Sequence, residues 1–141
     1  MNRVLRGALC GAAAGVAWKA VEPLLQREFR SPYSDAGIAC RFVTRNPVAP
    51  YVTQALGGTA FGAAFAKAGG RGIDQAVAAA LVENAVLWPL VWVIQRWHPD
   101  VRAGDWPKPF ADRGSIEVSF AGHAIFGVLL GALLDPPAVR R

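Results

Sequence analysis

Long apolar stretches separated by polar connections dominate the pattern of this chain. The four stretches cover residues 4–25, 48–68, 74–96 and 116–134. A bilayer core needs about 20 apolar residues in a helix, so each stretch has the length of a transmembrane helix. A water-facing helix would carry charges on one side, whereas residues 76–94 are interrupted only by Glu83 and Asn84. The pattern therefore predicts an all-α, four-transmembrane-helix bundle rather than a soluble bundle with an Ala/Gly-rich core.

Glycine recurs at every fourth position in three of these stretches. The positions are Gly7, Gly11 and Gly15 in the first stretch, Gly58 and Gly62 in the second, and Gly127 and Gly131 in the last. Small residues at this spacing line one side of a helix and let two backbones approach closely inside a bilayer. We therefore expect the helices to pack through these small-residue (Gly/Ala) ridges.

The connections differ in length and in composition. In the first, Ser34 and Asp35 form a helix-capping pattern, which predicts a short helix lying at the membrane interface. The second is a glycine-rich turn at 68–72, and its tightness predicts that the second and third spans are antiparallel neighbours. The third, 97–114, combines prolines with aromatic residues, as expected of a loop at the interface. Residues 1–141 are expected to form a single integral membrane domain.

Composition and charge narrow the choice of partners. Hydrophobic residues make up 53% of the chain and charged residues 18%, and the net charge is +5. Because the basic residues lie at the ends of the spans and no nucleic-acid motif accompanies them, anionic lipid is the expected partner and nucleic acid is not. Cys10 and Cys40 have no His or Cys neighbours at ligand spacing. No metal site and no cofactor are therefore expected.

The basic residues give only a weak preference for orientation. The termini and the short turn carry Arg3, Arg6, Lys67, Arg71, Arg140 and Arg141. The two long connections, counted with Arg96 at the start of the third, carry eight Lys or Arg residues between them, so the bias is nearly cancelled. Charges at chain ends and in short turns favour placing both termini in the cytoplasm.

Ionisable and amide side chains within the apolar stretches are the candidate functional residues. A charge in hydrocarbon is expensive, so such side chains usually point into the bundle or into a wet cavity. At about 1.5 Å per residue, antiparallel helices bring several of them to a similar depth, towards the long connections. The predicted polar intramembrane cluster consists of Lys19, Glu22, Gln54, Glu83, Asn84, Glu117 and His123.

Each member of this cluster also has a structural interpretation. Lys19 and Glu22 are three residues apart and can pair with each other near the interface. Glu117 fits a first-turn carboxylate that the helix dipole favours. His123 serves either a hydrogen bond between helices or a proton relay. Glu83, near mid-depth, has to be protonated, paired or hydrated.

Three segments carry a resemblance to a known family. They are GAAAGVAWKAVEP at 11–23, IDQAVAAALVENAVLWPLV at 73–91 and SIEVSFAGHAIFG at 115–127. This combination resembles the YagU-like family of bacterial inner-membrane proteins. The matching positions are Glu22 with Pro23, Asn84, Pro89 with Leu90, and Glu117 with Gly122 and His123. The resemblance implies a multi-pass protein of the bacterial inner membrane and supplies no activity.

Three hypotheses of function follow from these features. The first is proton, ion or small-solute permeation through Glu83, His123 and Glu22, in an oligomer if one copy encloses too little space. The second is a non-catalytic accessory subunit that packs by its glycine ridges against a larger membrane complex. The third, a lipid-directed enzyme using His123 with Glu117, is disfavoured because these side chains project from different sides of the helix and no catalytic motif accompanies them. The chain is expected to be non-enzymatic.

Overall fold

Six helices and no strand make up residues 2–135, the part of the chain that the computed structural model describes. The helices are α1 (Arg3–Glu28), α2 (Asp35–Cys40), α3 (Ala49–Lys67), α4 (Gly72–Ile94), α5 (Pro99–Ala103) and α6 (Arg113–Leu134). The predicted all-α class is confirmed. Arg140 and Arg141, which entered the prediction of orientation, lie outside the described residues.

Three helices, α1, α4 and α6, are long and apolar enough to cross a membrane. The prediction of four such helices is wrong, because α3 does not qualify. Length is not the reason, since its 19 residues extend over about 28 Å. The reason is composition, because Thr53, Gln54 and Thr59 stand among glycines and alanines, which add little apolar surface.

Helix α3 packs along α1 at very short distance. A Cβ atom built on Gly11 would overlap the carbonyl oxygen of Gly58, and one built on Gly7 would overlap that of Gly62. One turn further along α1, Gly15 faces the backbone of Gln54 in the same way. No side chain fits between the two backbones at these positions, so glycine is required there.

Helices α4 and α6 form the second closely packed pair. A Cβ on Gly127 would lie 2.6 Å from the Cα of Val77, and one on Gly131 would lie 2.5 Å from the Cα of Ile73. The two pairs join where α1 packs against α6. The apolar core at this junction consists of Ala14, Trp18, Phe65, Ala66, Ala76, Ala80, Phe126, Leu130 and Leu134, and we call it the apolar half of the bundle.

The short turn between α3 and α4 does not make them packing partners, contrary to the prediction. The principal partner of α3 is α1, and that of α4 is α6. The reason is the position of the small residues, because the glycine side of α3 faces α1 and Ala76 of α4 is buried beside α6. Away from the turn, α3 and α4 are therefore separated by open space.

Polar contacts close the end of the bundle that holds this turn, which we call the turn end. Arg3 donates to the carbonyl oxygen of Gly70 at 2.6 Å and lies 3.4 Å from the carboxylate of Asp135. Asp135 also accepts from the backbone N–H of Gly72 at 3.0 Å, and this bond holds the pKa of Asp135 below its ordinary value. The start of α1, the start of α4 and the end of α6 are thereby held together.

The opposite end, the loop end, is covered by the two long connections. The short helix predicted after Ser34 forms as α2, with the Ser34 hydroxyl accepting from the N–H of Gly37 at 3.0 Å. Asp100 of α5 is buried and accepts from Arg41 at 2.6 Å and Arg45 at 2.9 Å. These ion pairs join the first connection to the third.

A buried imidazole lies beside these ion pairs. His98 is 0% exposed, stacks on Trp106 at 5.0 Å between ring centroids, and meets the ring of Phe42 edge-on at 5.1 Å. Neither ring nitrogen has a hydrogen-bond partner among the described residues. Burial lowers the pKa of His98, and the neighbouring Arg41 adds to this effect against the opposing charge of Asp100. The fold therefore holds His98 in the neutral form.

Replacing Gly11 with alanine is expected to destabilise the fold by about 1–3 kcal/mol, because the added methyl group forces two backbones apart. The matched control is Gly57→Ala, since a Cβ at Gly57 meets no atom within 4 Å. This control is expected to be neutral or to stabilise α3 by up to about 1 kcal/mol through helix propensity. Unfolding in detergent micelles measures both changes, and equal effects of the two substitutions would contradict the assigned packing.

His98→Phe is expected to reduce the loss of stability on mild acidification. In the unfolded chain the imidazole binds a proton near pH 6.5, whereas the folded chain resists this proton. The unfolded state therefore binds more protons below about pH 6.5, and stability falls as the pH is lowered through that value. The measurement is the unfolding temperature between pH 7.5 and 5.

The comparison is made between the slopes of the two proteins, because all other titratable groups are the same in both. Asp100 does not change its charge between pH 7.5 and 5, because its hydrogen bond to Arg41 holds the pKa of Asp100 below its ordinary value of 3.8. Its contribution is present above about pH 3.9 and is lost only in stronger acid. Identical slopes for wild type and His98→Phe would show that His98 is not held neutral.

Candidate functional site

The space between α3 and α4 is a cavity of about 310 Å³ that opens on the side of the bundle. We call it the cleft. One wall consists of Gln54, Gly57 and Phe61 of α3, and the other consists of Glu83, Asn84, Leu87 and Trp88 of α4. The floor consists of Trp18 of α1 with His123 and Phe126 of α6. Towards the loop end the cleft is bounded by Tyr33, Asp35 and Ile38. Most of the lining is apolar, and the polar groups concentrate at the floor and at the loop end.

An imidazole and a carboxylate meet at the floor. The Nε2 atom of His123 lies 3.1 Å from a carboxylate oxygen of Glu83. The Nδ1 atom of His123 lies 2.9 Å from the carbonyl oxygen of Ser119. A carbonyl oxygen only accepts, so Nδ1 carries a proton, and a second proton is shared between Nε2 and Glu83. The pair is electrically neutral wherever that second proton resides.

A second carboxylate approaches this floor from outside the long helices. Asp35, the first residue of α2, accepts from the hydroxyl of Ser119 at 2.9 Å and from that of Tyr33 at 3.0 Å. Burial raises the pKa of Asp35, and the hydrogen bonds from Ser119 and Tyr33 oppose the rise. Burial and the neighbouring carboxylate also raise the pKa of Tyr33 well above 10.0, so the phenol stays neutral and donates.

The imidazole of His123 is positioned by an aromatic ring on α1. The indole of Trp18 meets it edge-on, with ring centroids 4.7 Å apart. A Cβ on Gly122 would overlap this indole, so the glycine before His123 makes room for Trp18. The Gly-His pair of α6 and the Trp of α1 therefore form one packing unit.

Lys19 and Glu22 form a separate ion pair near the loop end of α1. Glu22 is 2% exposed, contacts the ammonium group of Lys19 and accepts from the hydroxyl of Ser34 at 2.9 Å. The Lys19 Nζ atom in turn lies 3.1 Å from the same Ser34 oxygen. The pair is thus buried, satisfied by a third group and neutral as a whole.

The structure brings together only part of the predicted polar cluster. Glu83, Asn84 and His123 line the cleft, and Gln54 lines its α3 wall. Lys19 and Glu22 contact each other rather than Glu83, in agreement with the alternative interpretation of that pair. Glu117 is not part of the cluster: it pairs with the exposed Arg113 at 2.7 Å, one turn earlier on α6.

Sequence reasoning missed the side chains that connect these groups. Ser34 and Asp35 were recognised only as a helix start, although both reach inward from the first long connection. The missed Tyr33 reaches inward with them. Loop residues lie outside any apolar stretch, so depth estimated from helix position gave no sign of them. Ser119 lies four residues, or about one helical turn, before His123. That spacing indicates that the two side chains lie on the same side of α6.

The chemistry of the site limits what it can hold. Among residues 2–135, no group of three His, Cys, Asp or Glu side chains has the geometry of a metal site. His123 and Glu117, the pair considered for lipid chemistry, have different partners and do not meet. The floor of the cleft instead offers a shared proton beside hydrogen-bond acceptors.

No family model, curated protein or solved structure matches this chain. The resemblance to the YagU-like family therefore stays a prediction. Some of the residues that carry it lie close together, since Asn84 and His123 line the cleft, Gly122 packs on Trp18 at its floor and Glu22 bonds to Ser34 beside α2. Glu117 lies apart from them in its ion pair with Arg113.

Lys19→Met is expected to destabilise the fold by about 3–5 kcal/mol, because it leaves the buried carboxylate of Glu22 without its cation. In the double variant Lys19→Met/Glu22→Gln the charge is removed as well, so part of the loss is expected to be recovered. Unfolding in detergent micelles measures both. The control is Arg113→Met in the exposed pair with Glu117, which is expected to change stability little. A double variant no better than Lys19→Met would contradict the role given to the ion pair.

Proposed function

We propose that this chain is a small multi-pass membrane protein that binds a small molecule in the cleft and holds a proton beside it. The outward surfaces of the long helices support the first part. Large apolar side chains project from them and are 38–69% exposed, among them Leu5, Leu9, Val52, Leu56, Val82, Val86 and Leu133. Exposed apolar side chains on every long helix are costly in water and favourable in lipid.

Helix α3 accompanies α1 through the bilayer as its packing partner. It is not apolar enough to qualify as a span alone, but its backbone touches that of α1 from Gly7 to Gly15. A helix in contact with α1 over this length shares its depth. The polar side of α3, with Gln54, faces the cleft instead of lipid.

The single observation that carries the binding function is the content of the cleft. Groups from α4, α6 and the first connection converge there, although a carboxylate and an imidazole at this depth are expensive unless they serve each other or a ligand. Glu83 is 37% exposed, so the proton that it shares with His123 is accessible from the cleft. A group at the floor that gains or loses a proton is suited to binding a solute in a charge-dependent way.

The apolar half of the bundle argues against a continuous path through one copy. Phe126 forms part of the floor, Leu130 is buried below it, and Phe65 and Leu134 extend the same packing to the turn end. A site open on one side and closed on the other fits solute binding better than an open pore. Permeation then requires a second conformation or a second copy.

The alternative, a structural subunit of a larger complex, loses its original support. It relied on glycine ridges available to an external partner. The glycines of α1 face α3 and those of α6 face α4, so both surfaces are occupied within the chain. The remaining outward surface is apolar and suits lipid as well as a partner protein.

We place the protein in the bacterial inner membrane, with anionic lipid around it and both termini in the cytoplasm, and we assign it no enzymatic activity. The resemblance to the YagU-like family supports the location. The basic residues at the loop end, among them Arg96, Arg102 and Lys108, support contact with lipid phosphates.

Photolabelling with a small lipid-soluble diazirine tests entry into the cleft. In membranes that contain the full chain, Trp18 is expected to be labelled although it is only 4% exposed, because it forms the floor. Gly57→Phe fills the entrance and is expected to reduce labelling of Trp18 several-fold. Mass spectrometry of peptides measures the adducts, with the outward-facing Val86 as internal reference.

Ala60→Phe is the matched control, because Ala60 lies on α3 three residues later, is exposed and does not line the cleft. It is expected to leave labelling of Trp18 unchanged. An unlabelled Trp18, or equal labelling in both variants, would show that small molecules do not enter between α3 and α4.

A further inference from the structure

Hydrogen-bond acceptors without partners border the cleft near its loop end. The Oδ2 atom of Asp35 is buried and has no partner among the described residues. The Ser119 hydroxyl lies 2.9 Å from Asp35 Oδ1 and 3.0 Å from the amide oxygen of Asn84. A hydroxyl has one proton and cannot donate to both oxygens.

Exchanging the oxygen and nitrogen of the Asn84 amide resolves this conflict. The nitrogen then donates to Ser119, and Ser119 donates to Asp35. The two ends of an amide are assigned from their hydrogen bonds, and this assignment satisfies both. One amide atom of Asn84 is unpaired in a residue that is only 4% exposed, and in this arrangement it is the oxygen. Two acceptors, from Asp35 and Asn84, are thus left for a donor.

The charges around the cleft do not balance. Lys19 and Glu22 cancel, and the proton shared by Glu83 and His123 makes that pair neutral. Asp35 accepts two hydroxyl donors on one oxygen, its other oxygen is unpaired, and no ion pair to it exists within the described part of the chain. Burial raises the pKa of this carboxyl group. When ionised, Asp35 has no counter-charge beside the cleft, and a bound cation supplies one and favours the ionised form.

The rest of the lining is aromatic. Trp18, Tyr33 and Trp88 surround the polar groups, with Tyr33 and Trp88 in edge contact at 5.7 Å between centroids. Phe61 and Phe126 complete the side towards the turn end. Aromatic faces attract cations, and quaternary ammonium groups are bound in this way by clustered rings.

We infer that the cleft binds a monovalent organic cation of the alkylammonium class, with its charged head near Asp35 and its alkyl chain between Phe61 and Leu87. This inference rests on the proposed function and names the class of its ligand. The cavity of about 310 Å³ lies at the lower end of the size range of ligand pockets, so the ligand is small. The lateral opening admits such an amphiphile from the bilayer, where its chain already resides.

Calorimetric titration of the full chain in phosphatidylcholine nanodiscs tests the inference. The probes are octylammonium, whose N–H groups can donate to Asp35 and Asn84, and octyl sulfate. They share a chain and differ in charge, and empty nanodiscs give the partition baseline. Saturable binding is expected for the cation and not for the anion. Asp35→Asn is expected to weaken cation binding at least about tenfold, as expected when a buried charge loses its partner. Asp74→Asn, an exposed carboxylate at the start of α4, is the control and is expected to bind as wild type.

Gly57→Phe keeps the test decisive if Asp35→Asn does not fold, because a Cβ at Gly57 meets no atom within 4 Å and the ring beyond it is placed to obstruct the entrance. It is expected to abolish the saturable component. Equal binding of both probes, blocked by Gly57→Phe, would overturn the cation class and leave the binding site in place. Absence of a saturable component for the cation would overturn the inference, and labelling of Trp18 decides separately whether the cleft is entered at all.

Discussion

The close approach of α1 and α3 determines where the other helices can lie. Glycines on both helices bring backbone against backbone, and this contact uses the whole small-residue side of α3. Helix α4 follows α3 after a short turn but finds no matching surface on it, so it packs on α6 instead. The cleft is the space that remains between two well-packed pairs. Its existence therefore follows from the positions of small residues rather than from the turn.

Polarity within the cleft follows from the same arrangement. Side chains of α4 and α6 that point towards α3 have no helix to pack on, so a carboxylate, an amide and an imidazole are tolerated there. The core of the apolar half of the bundle is filled by Phe126, Leu130 and their neighbours, and none of these core residues is charged. Trp18 lies at the boundary, in contact with His123 on one side and with Phe126 of the apolar half on the other. The boundary between polar and apolar halves is thus built by one indole over Gly122.

The helices and several site residues were predictable from the sequence because periodicity and hydropathy are local properties. Glu83, Asn84 and His123 were identified by their charge or polarity within apolar sequence, and all three reach the cleft. The choice of partners was not predictable, because glycine spacing shows that a helix packs closely but not on which neighbour. For the same reason α3 was counted as an apolar span, although its small residues serve packing. Asp35 escaped detection because its depth is set by the fold of a connection.

Helix α2 connects two sets of polar side chains that the sequence analysis predicted as one cluster, the Lys19–Glu22 pair and the residues at the cleft. Ser34 bonds to the Lys19–Glu22 pair, and the next residue, Asp35, bonds to Ser119 at the cleft. Adjacent residues in a capped first turn cannot move independently, because the Ser34 hydroxyl is also held by the N–H of Gly37. One turn of α2 therefore positions both the acceptor that borders the cleft and the hydroxyl that satisfies a buried ion pair on α1. The short connection helix thus links the polar groups of the cleft to the contacts of α1 at the loop end.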